Sequence, residues 1–194
     1  MKRVLLLLLL VAFVPGLAFA ASQYAVDTSH SSVGFSVRHL GLSKVKGSFQ
    51  DFNGSVVWDD QDLSKSSIKG VVKIASVDTQ NEKRDTHLKA SDFFDAAKYP
   101  EMKFESKKIL KDKDGKYTIV GDLTIKNVTK EISAPLNLTE VLTDPWGKVR
   151  RGFETAFKIN RNDFGISFNN KLQNGSFVLS EDIEISLDVQ GVQG

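Results

Sequence analysis

The chain has 194 residues, 41% of them hydrophobic, with 26 basic against 24 acidic side chains and no cysteine. Such a length can close one domain around a substantial core. The lack of cysteine excludes a disulfide framework, a thiol nucleophile and a lipoprotein anchor, and the balanced charge gives no basic surface for nucleic acid.

Lys2 and Arg3, the apolar run from Val4 to Val14, the Pro15-Gly16 break and Ala18-Phe19-Ala20 have the three-part pattern of a signal peptide cleaved after Ala20. The apolar run is too short to span a bilayer, which takes about 20 residues. Residues 1–20 are therefore read as a cleaved signal and 21–194 as one exported domain, with no stable membrane span.

From Asp27 to Val56 the chain alternates. Val33, Phe35 and Val37 fall on one face of a strand, with Ser32, Gly34, Ser36 and Arg38 on the other. A second run carries Val45, Phe49 and Phe52 among Gly41, Gly47 and Gly54, which predicts a bent or bulged partner and hence a long hairpin from a curved sheet. Asp27-Thr-Ser-His30 reads as a local turn. If Phe35 faces inward, strict alternation sends Arg38 out and His39 in.

The same period recurs down the chain. Ile68, Gly70, Val72 and Ile74 share one parity, as do Tyr117, Ile119, Leu123 and Ile125 around Gly121. Ile132, Ala134, Leu136 and Leu138 follow, then Phe153, Thr155, Phe157 and Ile159, then Ile183, Ile185, Leu187 and Val189. Each set faces charged or hydroxyl neighbours, so each strand has one wet and one dry face, which suits an antiparallel sheet. Turn residues at 112–115, 127, 144–147 and 174–175 supply hairpin connections.

One segment departs toward helix. Thr79-Gln-Asn-Glu82 fits a capping box that opens a helix at about 80, and Ser91 resembles a second N-cap before Asp92-Phe93-Phe94-Asp95. Pro100 ends the segment, so a short helical insertion is expected over about 80–97. Asn160 to Gly165 reads as an Asx-rich turn between strands. The basic run from Lys103 to Lys116 is interleaved with Glu105, Asp112 and Asp114 and reads as a solvated hairpin tip.

Four blocks carry a resemblance: HSSVGFSVRHLGLSKVKGSF at 30–49, RDTHLKASDFFDAAKYPEMKFES at 84–106, GDLTIKNVTKEISAPLNL at 121–138 and INRNDFGISFN at 159–169. In this order they resemble the YceI-like family of periplasmic polyisoprenoid-binding proteins. The resemblance implies a mainly β fold, an extended antiparallel eight-stranded lipocalin-like β-barrel, that carries an isoprenoid or other long-chain lipid through the periplasm in an apolar pore. Alternation by itself leaves barrel and sandwich open, though long strands with large dry-face side chains favour the barrel.

In such a pore the apolar lining would be Val33, Phe35, Val37, Val45, Phe49, Phe104, Ile119, Leu123, Leu136, Phe153 and Phe157. Each buried methylene contributes about 0.8 kcal/mol, so one isoprene unit offers on the order of 3 kcal/mol before losses of ligand freedom. Polar groups would then set head-group choice rather than affinity. Arg38, His39, Arg84 and His87 are the candidates, as donors suited to phosphate or carbonyl oxygen.

No cofactor, metal or chemical step is expected. The chain has no GxSxG elbow and no HExxH. His30, His39 and His87 could build a three-histidine zinc enzyme only by converging from distant segments. The principal alternative is a protein-interaction or assembly module whose barrel is filled by its own phenylalanines; the monomer and the homodimer are both open.

Overall fold

The computed structural model describes residues 21–194; the signal-like segment read over 1–20 lies outside the described residues. In chain order the strands are β1 (Ser22–Val26), β2 (Ser32–His39), β3 (Ser43–Phe49), β4 (Phe52–Trp58), β5 (Ser67–Lys73) and β6 (Val77–Asp78). The helix α1 (Glu82–Leu88) follows, then β7 (Glu101–Lys111), β8 (Tyr117–Ile125), β9 (Val128–Leu138), β10 (Leu142–Thr143), β11 (Val149–Asn160) and β12 (Leu179–Gln193).

These strands condense into eight staves. β1 and β2 are one strand broken at 27–31, where the Asp27 carboxylate accepts from Ser29 N–H and caps a 3-10 turn at Thr28–His30. β3 and β4 are likewise one strand broken at Gln50-Asp51, and the two composite staves form a single hairpin, with Val33 opposite Phe49 and Ala25 opposite Ser55. From there each stave pairs with the next, through β5, β7, β8, β9 and β11 to β12. β12 closes the ring by pairing with both halves of the first stave, Leu187 opposite Val33 and Gly191 opposite Val26. The result is a closed, antiparallel eight-stranded barrel, with the short β6 and β10 added at its margins.

The closure is uneven. β11 and β12 pair along eleven registered positions, whereas β9 and β11 pair at only two, Phe153 with Leu138 and Glu154 with Asn137. Pro135 has no N–H to extend that ladder, and its carbonyl instead accepts from the Thr155 hydroxyl at 2.6 Å. The seam is wedged further along by the 3-10 turn Arg161–Phe164, which buries Phe164 and is capped by Asn160 as the Asx pattern predicts. Arg161, also buried, donates to the carbonyls of Ser180 and Ile166 and to the Asn169 side chain, tying the long 161–178 loop to the barrel end.

Three local expectations are corrected. The N-cap of α1 is Asn81, whose side chain accepts from Arg84 N–H at 3.0 Å. Thr79 is instead buried, its N–H and hydroxyl both donating to Asp85. The helix spans Glu82–Leu88 alone, and Ser91 opens a series of turns with Asp95 in the left-handed region rather than a second helix. Ile74 leaves the β5 alternation to begin a 3-10 turn, where it is fully buried.

Candidate ligand cavity

An internal cavity of about 180 Å³ runs between the staves. Nine of the residues expected to form an apolar lining border it: Val33, Phe35, Phe49, Phe104, Ile119, Leu123, Leu136, Phe153 and Phe157. Their strands bring them together because each has the inward parity of its stave. Val37 and Val45 share that parity but do not border the cavity. They face each other across β2 and β3 beyond the point where the Phe35 ring lies across Gly47, a position where an added Cβ would meet Thr79 Cγ2 at 2.7 Å and that ring more closely still.

The wall also contains residues outside the expected lining. Phe52, Val56, Met102, Ile185, Leu187 and Val189 add apolar surface. Gly54 and Gly70, paired across β4 and β5, present no side chain at all, and a Cβ at Gly70 would find only Asn53 O, at 3.9 Å. Gly70 therefore holds space open. The polar residues of the wall are Asn53, Lys69, Thr155 and Lys103, and both lysines carry their ammonium groups to carboxylates: Lys69 to Glu105 at 2.5 Å and Lys103 to Glu101 at 3.0 Å.

One end of the barrel is plugged. Trp58, 1% exposed, packs edge-on against Tyr117 at 5.5 Å and near Phe153 at 6.1 Å, with Tyr24, Ile109 and Leu136 around it. Its indole N–H donates to Asp60, and the Arg151 guanidinium lies over its ring. Beside the plug, Arg150 donates to Asp144 and Asp27 at 2.6 Å each. With His30, this guanidinium holds the Asp27 carboxyl down at about 2, and Arg150 lowers Asp144 in the same way. The sequence pointed to neither Trp58 nor Arg150. The tryptophan stood alone at a strand end, and the ion pair joins residues 123 positions apart.

The other end is roofed by α1 and the turns after it. Phe94 packs on Phe49 at 5.9 Å, and Phe93 stacks on Phe168 of the 161–178 loop at 4.9 Å. None of the four head-group candidates borders the cavity. Arg84 donates through Nε and Nη2 to Thr79, both at 2.7 Å, and His87 Nε2 meets Asp92 at 2.9 Å while its ring packs on Phe93. These short-range partners occupy both side chains within the roof. Arg38 is exposed, and His39 is half-buried at the end of β2, opposite Ser43 and Leu179. The three histidines lie on separate elements, and no group of three metal-ligating side chains occurs among the described residues. No helix among them is long and apolar enough to cross a membrane.

Fold and cavity together define a closed antiparallel β-barrel with an apolar lumen, plugged at one end and roofed by a helix at the other. The chain belongs to the YceI-like domain family, whose model matches residues 24–191. It is 38% identical to a UPF0312 protein of Photorhabdus laumondii over 175 residues, 89% of this chain and 88% of that one. A crystal structure of the Campylobacter jejuni YceI protein is 35% identical and superimposes with a TM-score of 0.70, over 81% of this chain and 90% of that one. A polyisoprenoid binding domain from Saccharophagus degradans shares the fold at 14% identity and a TM-score of 0.66, over 88% of this chain and 98% of that one.

Proposed function

We propose that this protein is a periplasmic carrier that holds a polyisoprenoid or similar long-chain amphiphile in the barrel, with no chemical step. The observation that carries the reading is a lumen walled by apolar side chains, with its bordering lysines paired to carboxylates. A charged or strongly polar ligand would lose its hydration there without replacement hydrogen bonds. A branched hydrocarbon has no hydrogen bonds to lose by entering. The ligand described by name for the Saccharophagus degradans domain is of this kind.

Size sharpens the reading. An apolar cavity of about 150 Å³ takes one benzene-sized molecule, so the volume present suits roughly the first isoprene unit. A longer chain must displace the half-buried side chains at the roofed end, Phe35, Phe94 and Met102, which pack around Phe49 and Phe52. The plug, with Trp58, Tyr24 and Phe153 buried, cannot yield as cheaply. The ligand is therefore threaded from the roofed end with its tail toward Trp58. The Phe35, Phe49, Phe104, Phe153 and Phe157 rings and Val33, Ile119, Leu123 and Leu136 supply contact with the tail.

Native mass spectrometry of protein purified without detergent tests the proposal. A co-purifying adduct that partitions into organic solvent and shows isoprene mass spacing supports it. A ligand-free barrel that also takes up no isoprenoid alcohol on incubation would sink it.

A further inference from the structure

We propose that the β2–β3 hairpin is a docking tip that seats the barrel on an anionic phospholipid surface. The proposal names the surface from which the lipid of the preceding section would be drawn and takes its purpose from that reading. Its evidence and its test are separate.

The tip is Leu40-Gly41-Leu42. Leu40 and Gly41 both lie in the left-handed region, at φ 55° and 74°, and Leu42 N–H donates to His39 O at 3.0 Å, which makes the turn tight. Leu42 is left 81% exposed. The turn is braced from the side, because Leu40 N–H donates to Val178 O at 2.8 Å, beside the half-buried Phe177 and Leu172. A leucine so exposed on a braced turn contributes nothing to the fold.

Within the β2–β3 hairpin itself the charges around the tip have one sign, while the irregular stretch of β12 opposite Arg38 carries the exposed Glu181 and Asp182. Arg38, Lys44 and Lys46 flank it, and no acidic residue occurs between Asp27 and Asp51. On the neighbouring 170–178 segment, Lys171 stands with its ammonium 5.0 Å from the Phe177 ring centre. Glu184 of β12 engages Lys44 at 2.5 Å. Arg38, Lys46 and Lys171 form no ion pair among the described residues. An apolar tip with a basic collar is the pattern that enters a headgroup layer. The leucine reaches the acyl boundary while the long cationic side chains stay at the phosphates.

The opposite end also exposes apolar groups, Trp146 at 81% and Leu142 at 56%. Its charges are mixed, Glu140 and Asp144 standing with Lys148, Arg150 and Arg151, and it is the plugged end. The β2–β3 hairpin instead continues directly into the strands that carry Val33, Phe35 and Phe49 to the cavity. Continuity with the cavity, together with an apolar tip whose own strands carry only basic charges, selects the hairpin.

Cosedimentation tests this, with protein expressed from its full coding sequence and purified as the cell processes it. The vesicles are equal parts phosphatidylethanolamine and phosphatidylglycerol, with pure phosphatidylcholine as the uncharged control. The wild type is expected to bind the anionic vesicles. Leu42→Asp, at an exposed site, should weaken binding about tenfold or more, and Arg38→Gln and Lys46→Gln about fivefold each. Emission from Trp146 should not move, since it lies at the far end. Absence of anionic-vesicle binding, undiminished binding by Leu42→Asp, or a blue shift of Trp146 on binding overturns the proposal. So does concentration-dependent self-association that Leu42→Asp abolishes, which would make the tip a contact for a second copy. The lipid content of the same preparations, read by mass spectrometry, reports on the cavity independently.

Discussion

Gly70 has the inward parity of Ile68 and Val72 yet places no atom in the lumen. Open space surrounds the Cβ it lacks. A leucine there fills the cavity without a backbone penalty, and strand propensity itself favours a side chain over glycine. Gly70→Leu is expected to lose co-purifying lipid while keeping or gaining thermal stability. A variant that melts well below wild type would show that the glycine serves folding instead. Arg150 is the second residue with a direct consequence. It depresses Asp27 from an ordinary 3.8 to about 2 and lowers Asp144 too. A depressed folded-state value means stabilisation that is complete above about pH 4 and lost as pH falls toward 2. The acid limb of a thermal-melt series should be steep between those values and should flatten in Arg150→Met. Equal slopes in both proteins would detach the clamp from acid unfolding.

At the scale of elements, the roof is held by caps and aromatic contacts rather than by a sheet ladder. α1 has seven residues and no fully buried side chain, and it is held by the Asn81 cap, the Thr79–Asp85–Arg84 network and the contacts of Phe93 and Phe94. So short a helix has little stability of its own. Phe94→Ala removes the contact with Phe49 and should speed release of a fluorescent isoprenoid analogue severalfold, and because Phe94 is only half-buried it should lose about 1–2 kcal/mol in urea denaturation. An unchanged release rate would mean that ligands do not pass the roof. The sequence located this element because its polar caps broke the alternation. It misplaced the cap because Thr79 and Asn81 are both acceptable cap residues, and only the burial of Thr79 against Asp85 separates them. Arg84 and His87 lie in the roof away from the cavity wall, engaged by Thr79 and Asp92. Each has the chemistry for a head group, and each has a nearer partner.

Across the whole molecule the weak line is the β9–β11 seam, with two registered pairs against eleven for β11–β12. Amide exchange should report it. The β9 amides from 128 to 134 that point toward β11 should exchange much faster than alternate ones bonded to β8, which pairs with β9 along its whole length. Uniform protection along β9 would show the seam closed in solution. The sequence by itself determined the faces of the strands, because a period of two assigns each side chain to water or core wherever the backbone runs straight. That was sufficient for antiparallel pairing and for nine side chains of the cavity wall, whereas barrel against sandwich is decided by the closure of β12 onto the first stave. Only the tertiary structure decided where that wall ends. The ring of Phe35 across Gly47 cuts off Val37 and Val45, a pair of facing glycines widens the lumen at Gly70, and Trp58 stops it at one end. Those limits arise from side chains meeting across staves far apart in the chain, which no local pattern encodes.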